Sequence, residues 1–356
     1  MKSSKFSLSE EKTKKLNVQS LKPNHLPILA LSKQTRRLGW LQIMLIKTLL
    51  AQAEEKLQGL IPTRQPKCLV ALENDQLIAL VVLQPNNRRG TSWSISLPEF
   101  LKDPKNTTPH QIREVLLQKA LQLESNIARS WLITCPKDDL QQLEITRELG
   151  FQPLKTIKRW TFKNSPNNKD DEKYPFLPKN ILWESLTKKN AAVLSKLEKG
   201  SQSVHLRELI DRQWIDLLDK NGPDNKILIS TDINHKVGLF GLITPIGSED
   251  LLSLELIRDV AWDSRLSLIL PKLLTGLTYS SQQISLETAA EDTHLNHILI
   301  EMGWEEKNEK LLLGRSLLKR KHNPKLHSVE SSFEKILSSL QPNQPSIPSP
   351  PLSINQ

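Results

Sequence analysis

The sequence predicts an α/β (α+β) fold made of two tandem units, each a mixed, mostly antiparallel sheet flanked by helices. Three observations predict it. The stretch ITRELGFQPL at 145–154 and the stretch ILIEMGWEEK at 298–307 both read as a helix end, a Gly turn and a strand opened by a large aromatic. The elements before each of these endings follow one another in the same order. Between the two series lies NSPNNKDDEKYPFLPKN, residues 164–180, polar and with three Pro, which is linker composition.

Taken in order, the first series opens with NVQSLKPNHLPILALS and the second with NILWESLTKKNAAVLSKL, each a short strand ending in Ser-Leu before an apolar helix. RLGWLQIML and DRQWIDLLD then set Trp40 and Trp214 at matching helical positions. Two strands follow in each: CLVALENDQLIALVVLQP turns at Glu73–Gln76, and ILISTDINHKVGLFGLITP turns at Ile233–Lys236. SWSISL and LLSLELIRDVAW supply a further strand. The next helix starts at Thr108 with Pro109 in its first position, and in the second series at Asp263; both are good N-caps. A strand and a helix lead to Gly150-Phe151 and to Gly303-Trp304, and KTIKRWTF and KLLLGRSL close the two series. The resulting division is a basic leader at 1–16, units at 17–163 and 180–320, a linker at 164–179 and a Pro-rich tail at 321–356.

Composition sets the limits on function. The chain has 356 residues, 38% hydrophobic and 25% charged, enough to bury two ordinary cores. Its net charge of +10 is concentrated in the flanks, because residues 1–16 hold five Lys against two Glu and KRKHNPKLH at 319–327 adds three Lys and one Arg. The units themselves are near neutral, which disfavours a nucleic-acid partner, since that needs a basic face on a folded module. The polar start is not a signal peptide, and LGWLQIMLIKTLLAQA is too short for a membrane span. Cys68 and Cys135 fall in apolar runs at no zinc or disulfide spacing, so buried free thiols and a cytoplasmic location are expected. The tail from Lys321, with six Pro, has too little periodic apolar content to fold alone.

Antiparallel strands, a strand-to-helix crossing, then a strand and a helix ending in Gly-aromatic make each unit resemble the GNAT family of N-acetyltransferases. RELGFQPL and IEMGWEEK carry the resemblance most directly, and it spans about residues 17–163 and 180–318. The resemblance implies acetyl-CoA as cofactor and an amine of a small molecule or a protein as acceptor. It also implies a Gly-rich turn after the fourth strand, whose backbone N–H groups meet a pyrophosphate at a helix N-terminus. Neither LPEFLKDPKNTTPHQIREV nor IRDVAWDSRLSLIL contains a Gly. Arg258, Ser264 and Arg265 are the groups left to bind the cofactor in the second unit, with Thr107, Thr108 and Arg113 as their counterparts in the first. Asp263 places a negative charge where those phosphates would sit.

In the family a Tyr four residues before the closing Gly often protonates the leaving thiolate. Those positions here are Thr146 and Leu299, and Tyr174 and Tyr279 are out of register. Glu255, with Glu287, is the candidate catalytic base, because a carboxylate on the fourth or fifth strand can take the amine proton. Glu73, Asp75 and Glu99 read as exposed strand or turn carboxylates. His294 and His297, beside Glu291 and Asp292, lack a metal-site spacing and read as surface groups. Trp183 and Trp214 are packing residues or line a cleft. Two functions follow: an acetyl-CoA-dependent N-acetyltransferase with an atypical cofactor loop, or a catalytically inactive tandem scaffold with a binding or regulatory role.

Overall fold

The computed structural model describes residues 16–30, 65–123, 126–163, 179–219, 225–232, 235–243, 252–278 and 283–317. The expected helix around Trp40, nearly all of the expected linker and the Pro-rich tail lie outside the described residues.

The first series runs β1 (Leu16–Ser20), α1 (Leu26–Ala30), β2 (Lys67–Glu73), β3 (Gln76–Pro85), β4 (Ser92–Ile95), β5 (Glu99–Phe100), α2 (Pro109–Gln122), β6 (Ser130–Pro136), α3 (Leu140–Glu148) and β7 (Gln152–Lys163). The second opens with β8 (Ile181–Ser185), then α4 (Ala191–Ser201), α5 (Val204–Ile210) and α6 (Trp214–Asp219). It continues with β9 (Lys226–Asp232), β10 (His235–Ile243), β11 (Leu252–Arg258), α7 (Ser264–Thr278), β12 (Gln283–Ala289), α8 (Thr293–Glu301) and β13 (Glu305–Ser316). Local chemistry explains many of the boundaries. The β2–β3 hairpin turns on Asn74 and Asp75, both at positive φ, the pair of left-handed residues that a two-residue turn requires. Thr108 caps α2 by accepting from Gln111 N, and Gln111 returns a bond to Thr108 N.

The two Gly-aromatic endings have the same geometry. Gly150 N donates to Arg147 O and Phe151 N to Thr146 O; Gly303 N donates to Ile300 O and Trp304 N to Leu299 O. Each is a Schellman cap, with the Gly at φ 82° and 80°. Each aromatic is buried, Phe151 among α2, α3 and the first-series strands, Trp304 among α7, α8 and the second-series strands.

Among the described residues thirteen strands form one sheet, in the order β1-β2-β3-β4-β6-β13-β7-β12-β11-β10-β9-β8, with β5 against β3. Only β4–β6 and β11–β12 pair in parallel. α2 and α3 cover one face of the first half, and α7 and α8 one face of the second. α4 and α6 pack on the opposite face of the second half, with Leu194 and Leu217 against Ile227, Ile243 and Ile257. α5 crosses to the first half and lays Leu206 and Leu209 on Leu132 and Leu312.

The sequence assigns each closing strand to its own half. The sheet exchanges them: β13 lies between β6 and β7, and β7 between β13 and β12. β7 therefore carries Trp160 into the second core, and β13 carries Leu313 into the first. Both strands are long, with polar residues among apolar ones, so the pattern of either suits either place. Contacts tie the described residues into one compact unit. A second link joins the halves where Asn87 Nδ2 donates to Ile210 O and Asp211 O, Arg88 N to Asp216 Oδ1, and Arg89 pairs with Asp211 at 2.8 Å.

Candidate functional site

The site lies where the second parallel pair separates. β11 and β12 pair from Leu252 opposite Ile284 to Glu255 opposite Glu287. Beyond that point β11 continues to Arg258 and β12 to Ala289 with no pairing between them. A cavity of about 390 Å³ opens there. In the first half β4 ends with the pair Ile95–Ile133, and the next residue turns back on β3, with Ser96 N donating to Val82 O and Val82 N to Ser96 Oγ.

Glu255 and Glu287 stand side by side, and both line the cavity. Strand alternation explains the polar placement: Leu254 and Leu286 point to the core under α7, so Glu255 and Glu287 point to the other face. Lys310 of the exchanged β13 pairs with Glu287 at 3.3 Å. Lys155 and Ile157 reach the cavity from β7, and Ser201, Gln202 and Ser203 border it from the α4–α5 turn.

Of the three residues expected at the cofactor, only Arg258 lines the cavity. All three of its guanidinium nitrogens are engaged. Nε donates to Asp292 Oδ2 at 2.5 Å, Nη2 bonds Asp292 Oδ1, and Nη1 donates to Asp259 O and Val260 O. The group also stacks over Trp262, which stacks in turn on His294. Asp292 meanwhile caps α8 by accepting from Leu295 N. Ser264 and Arg265 begin α7 and do not line the cavity. Arg265 is tied to Asp263, with Nη2 to Oδ2 at 2.7 Å, and also donates to Ser230 Oγ. Asp263 Oδ1 accepts from Arg265 N in the first turn of the helix. The Arg265 side-chain hydrogen bonds, more than any other cause, hold the Asp263 carboxyl below its ordinary value.

The remaining candidates do not line the cavity. Thr146 and Leu299, at the family's acid position, are both fully buried, and Thr146 donates back to Gln142 O and Leu143 O within its helix. Cys68 and Cys135 are buried free thiols, and burial pushes each up to about 12, which removes a thiolate nucleophile. Trp183 stacks on Phe240 and Trp214 is exposed, and neither lines the cavity. His297 pairs with Glu301 on an exposed helix face. Among the described residues no group of three or more His, Cys, Asp and Glu is placed to hold a metal ion, and no helix is long and apolar enough to cross a membrane. Glu73, expected to be an exposed turn carboxylate, is instead buried, accepting from Lys105 N at 2.9 Å and Asn106 N at 3.0 Å. Sequence reasoning missed Lys155, whose place depends on the strand exchange. It also missed Asp292 as the partner of Arg258, although its position ahead of an apolar helix marked it as an N-cap.

No family model matches the chain, and no curated protein matches it by sequence. Solved structures do match. A GCN5-related N-acetyltransferase from Sphaerobacter thermophilus overlays with a TM-score of 0.50 at 13% identity, covering 85% of this chain and 95% of that one. A GCN5-related glucosamine N-acetyltransferase region of a fungal multi-domain β-N-acetylglucosaminidase overlays with a TM-score of 0.50 at 12% identity, covering 85% of this chain and 38% of that one. At such identities the likeness establishes the fold: the described chain has the GNAT architecture.

Proposed function

We propose that this chain uses the GNAT fold as a binding scaffold with a cleft for a cationic amine, and does not carry out acyl transfer from acetyl-CoA. The charge of the cleft carries this reading. Glu255, Asp259, Glu287, Glu291 and Asp292 line it against Lys155 and Arg258; Arg258 is already paired with Asp292 and Glu287 with Lys310, which leaves the lining acidic. The residues present do not fit acetyl-CoA, whose phosphates bring several negative charges to groups that this chain engages internally. An amine of a small molecule or of a protein side chain gains from the same field where the strands part beside Glu255 and Glu287, at the latter in competition with Lys310.

One observation favours a second reading. Parallel strands that separate beside two carboxylates and open a cavity of this size also suit an N-acyltransferase, with Glu255 and Glu287 as bases and Arg258 toward the cofactor.

Isothermal titration separates the two. Acetyl-CoA at millimolar concentration should give no saturable heat, whereas spermidine, used as a probe amine, should bind, weaken with added salt, and weaken about tenfold in Glu255→Gln/Glu287→Gln. Sub-millimolar binding of acetyl-CoA would reject the scaffold reading in favour of the acyltransferase.

A further inference from the structure

We infer that this chain supplies its own carboxylate at each position where its fold could grip a phosphate: Asp263 and Asp292 in the second half, and Glu73 in the first. The inference rests on the scaffold reading and gives it a physical cause.

In the second half, two groups could hold an anion. One is the first turn of α7, whose N–H groups point outward at the positive end of a fifteen-residue helix. Asp263 occupies it, with Oδ1 on Arg265 N at 2.9 Å and both oxygens on the Arg265 guanidinium. The other is Arg258 at the end of β11. Asp292 grips it through both oxygens, and because Asp292 begins α8 the pair spans the gap between the parted strands. A phosphate entering there meets an occupied cation and a fixed negative charge.

The first half reaches the same end from another element. The segment 105–107, just before the Thr108 cap of α2, turns successive backbone N–H groups toward one point, a concavity suited to an anion. The anion found there is Glu73, delivered from the end of β2 and 5% exposed. Burial pushes its carboxyl up, but the N–H groups of Lys105, Asn106 and Thr107 and the Thr107 hydroxyl outweigh this and hold it below its ordinary value. Glu73, Asp263 and Asp292 come from three different elements, yet each meets the donors that a cofactor's phosphates would need. Held at a fixed position, an internal carboxylate acts at an effective concentration that a free anion cannot match.

The test is Asp263→Asn/Asp292→Asn, with Glu73→Gln made separately. Asn keeps the cap at both helices while removing the charge. Each protein is titrated with inorganic pyrophosphate and with CoA. The wild type should show no saturation up to ~10 mM, the double variant should bind both at about 1 mM, and Glu73→Gln should gain a smaller affinity for pyrophosphate. If the variants keep their fold by circular dichroism and gain less than about threefold, the inference is wrong while the scaffold reading stands. If the wild type binds CoA at sub-millimolar concentration, both are wrong. Should Asp292→Asn unfold the protein by stranding Arg258, Asp263→Asn alone decides: its carboxylate is partly exposed, and a gain of severalfold is expected from it as well.

Discussion

Phe151 and Trp160 lie nine residues apart on one closing segment, yet they are buried in different cores: Phe151 with α2 and α3, Trp160 with α7 and α8. Trp304 and Leu313 repeat the relationship in reverse, the first in the second core and the second in the first. Each half is therefore completed by the other's chain.

Neither half should then fold by itself. Residues 1–178 alone lack β13, which lies between β6 and β7, and would expose both strand edges and leave the place of Leu313 empty. We expect this fragment to give poorly dispersed amide resonances and to aggregate. Co-expression with residues 179–356 should restore a dispersed spectrum and a single complex by size-exclusion chromatography. A well-folded monomeric fragment 1–178 would show that the exchange is dispensable.

The buried polar contact that anchors β7 in the second half is open to a direct test. Trp160 Nε1 donates to Thr288 Oγ1 at 2.9 Å, Thr288 Oγ1 donates to Asn296 Oδ1 at 2.6 Å, and Asn296 Nδ2 donates to Ala289 O and Ala290 O. Thr288→Val keeps the shape but strands the indole N–H and the Asn296 oxygen, so it should destabilise by about 2–3 kcal/mol, whereas Thr288→Ser should cost under ~1 kcal/mol. Urea denaturation of the three proteins measures the difference, and equal stabilities would remove the contact from the account.

Gly150 and Gly303 separate backbone strain from crowding. A Cβ at Gly150 meets only ordinary contacts with Arg315, and at Gly303 none within 4 Å. Gly150→Ala and Gly303→Ala should therefore each cost about 1–2 kcal/mol through the left-handed φ alone. Free-energy differences from equilibrium unfolding should be alike at the two sites, and a cost at only one would break the equivalence of the two caps.

Acid stability should depend on Glu309. Its side-chain hydrogen bond to Lys137 is the main cause holding its carboxyl below the ordinary 4.5, with Lys158 adding to it. A lowered carboxyl contributes stability that is present above the ordinary value and is lost as pH falls through the lowered one. The contact joins Lys137, the residue after β6, to β13, so Glu309→Gln should lower stability at about pH 6 and converge with the wild type near pH 3. Parallel urea midpoints for the two proteins across that range would contradict the assignment.

Much of this fold is legible in the sequence. The Gly-aromatic endings, the Thr108 cap, the β2–β3 turn and the order of elements in both series rest on local chemistry, in which short-range periodicity and turn residues dominate. Glu255 and Glu287 were legible as a pair on neighbouring strands for the same reason: alternation sets the face on which a strand residue lies. The sequence also lacks a Gly turn ahead of α2 or α7 and places Asp263 at the start of α7, where it accepts from Arg265 N.

Tertiary structure decided the rest. Nothing local says whether β7 or β13 lies beside β6, because the two closing strands have equal length and similar patterns, and pairing energy depends on neighbours distant in sequence. That choice brings Lys155 to the cavity and Lys310 to Glu287. Nor does local chemistry say that Arg258 meets Asp292, thirty-four residues on, or that Glu73 reaches under residues 105–107. By itself the sequence determined the elements, their repeat and the carboxylates available. Long-range packing, which alone sets the distances between charges, determined which of those carboxylates face the cleft and which are held against the chain's own cations and N–H groups.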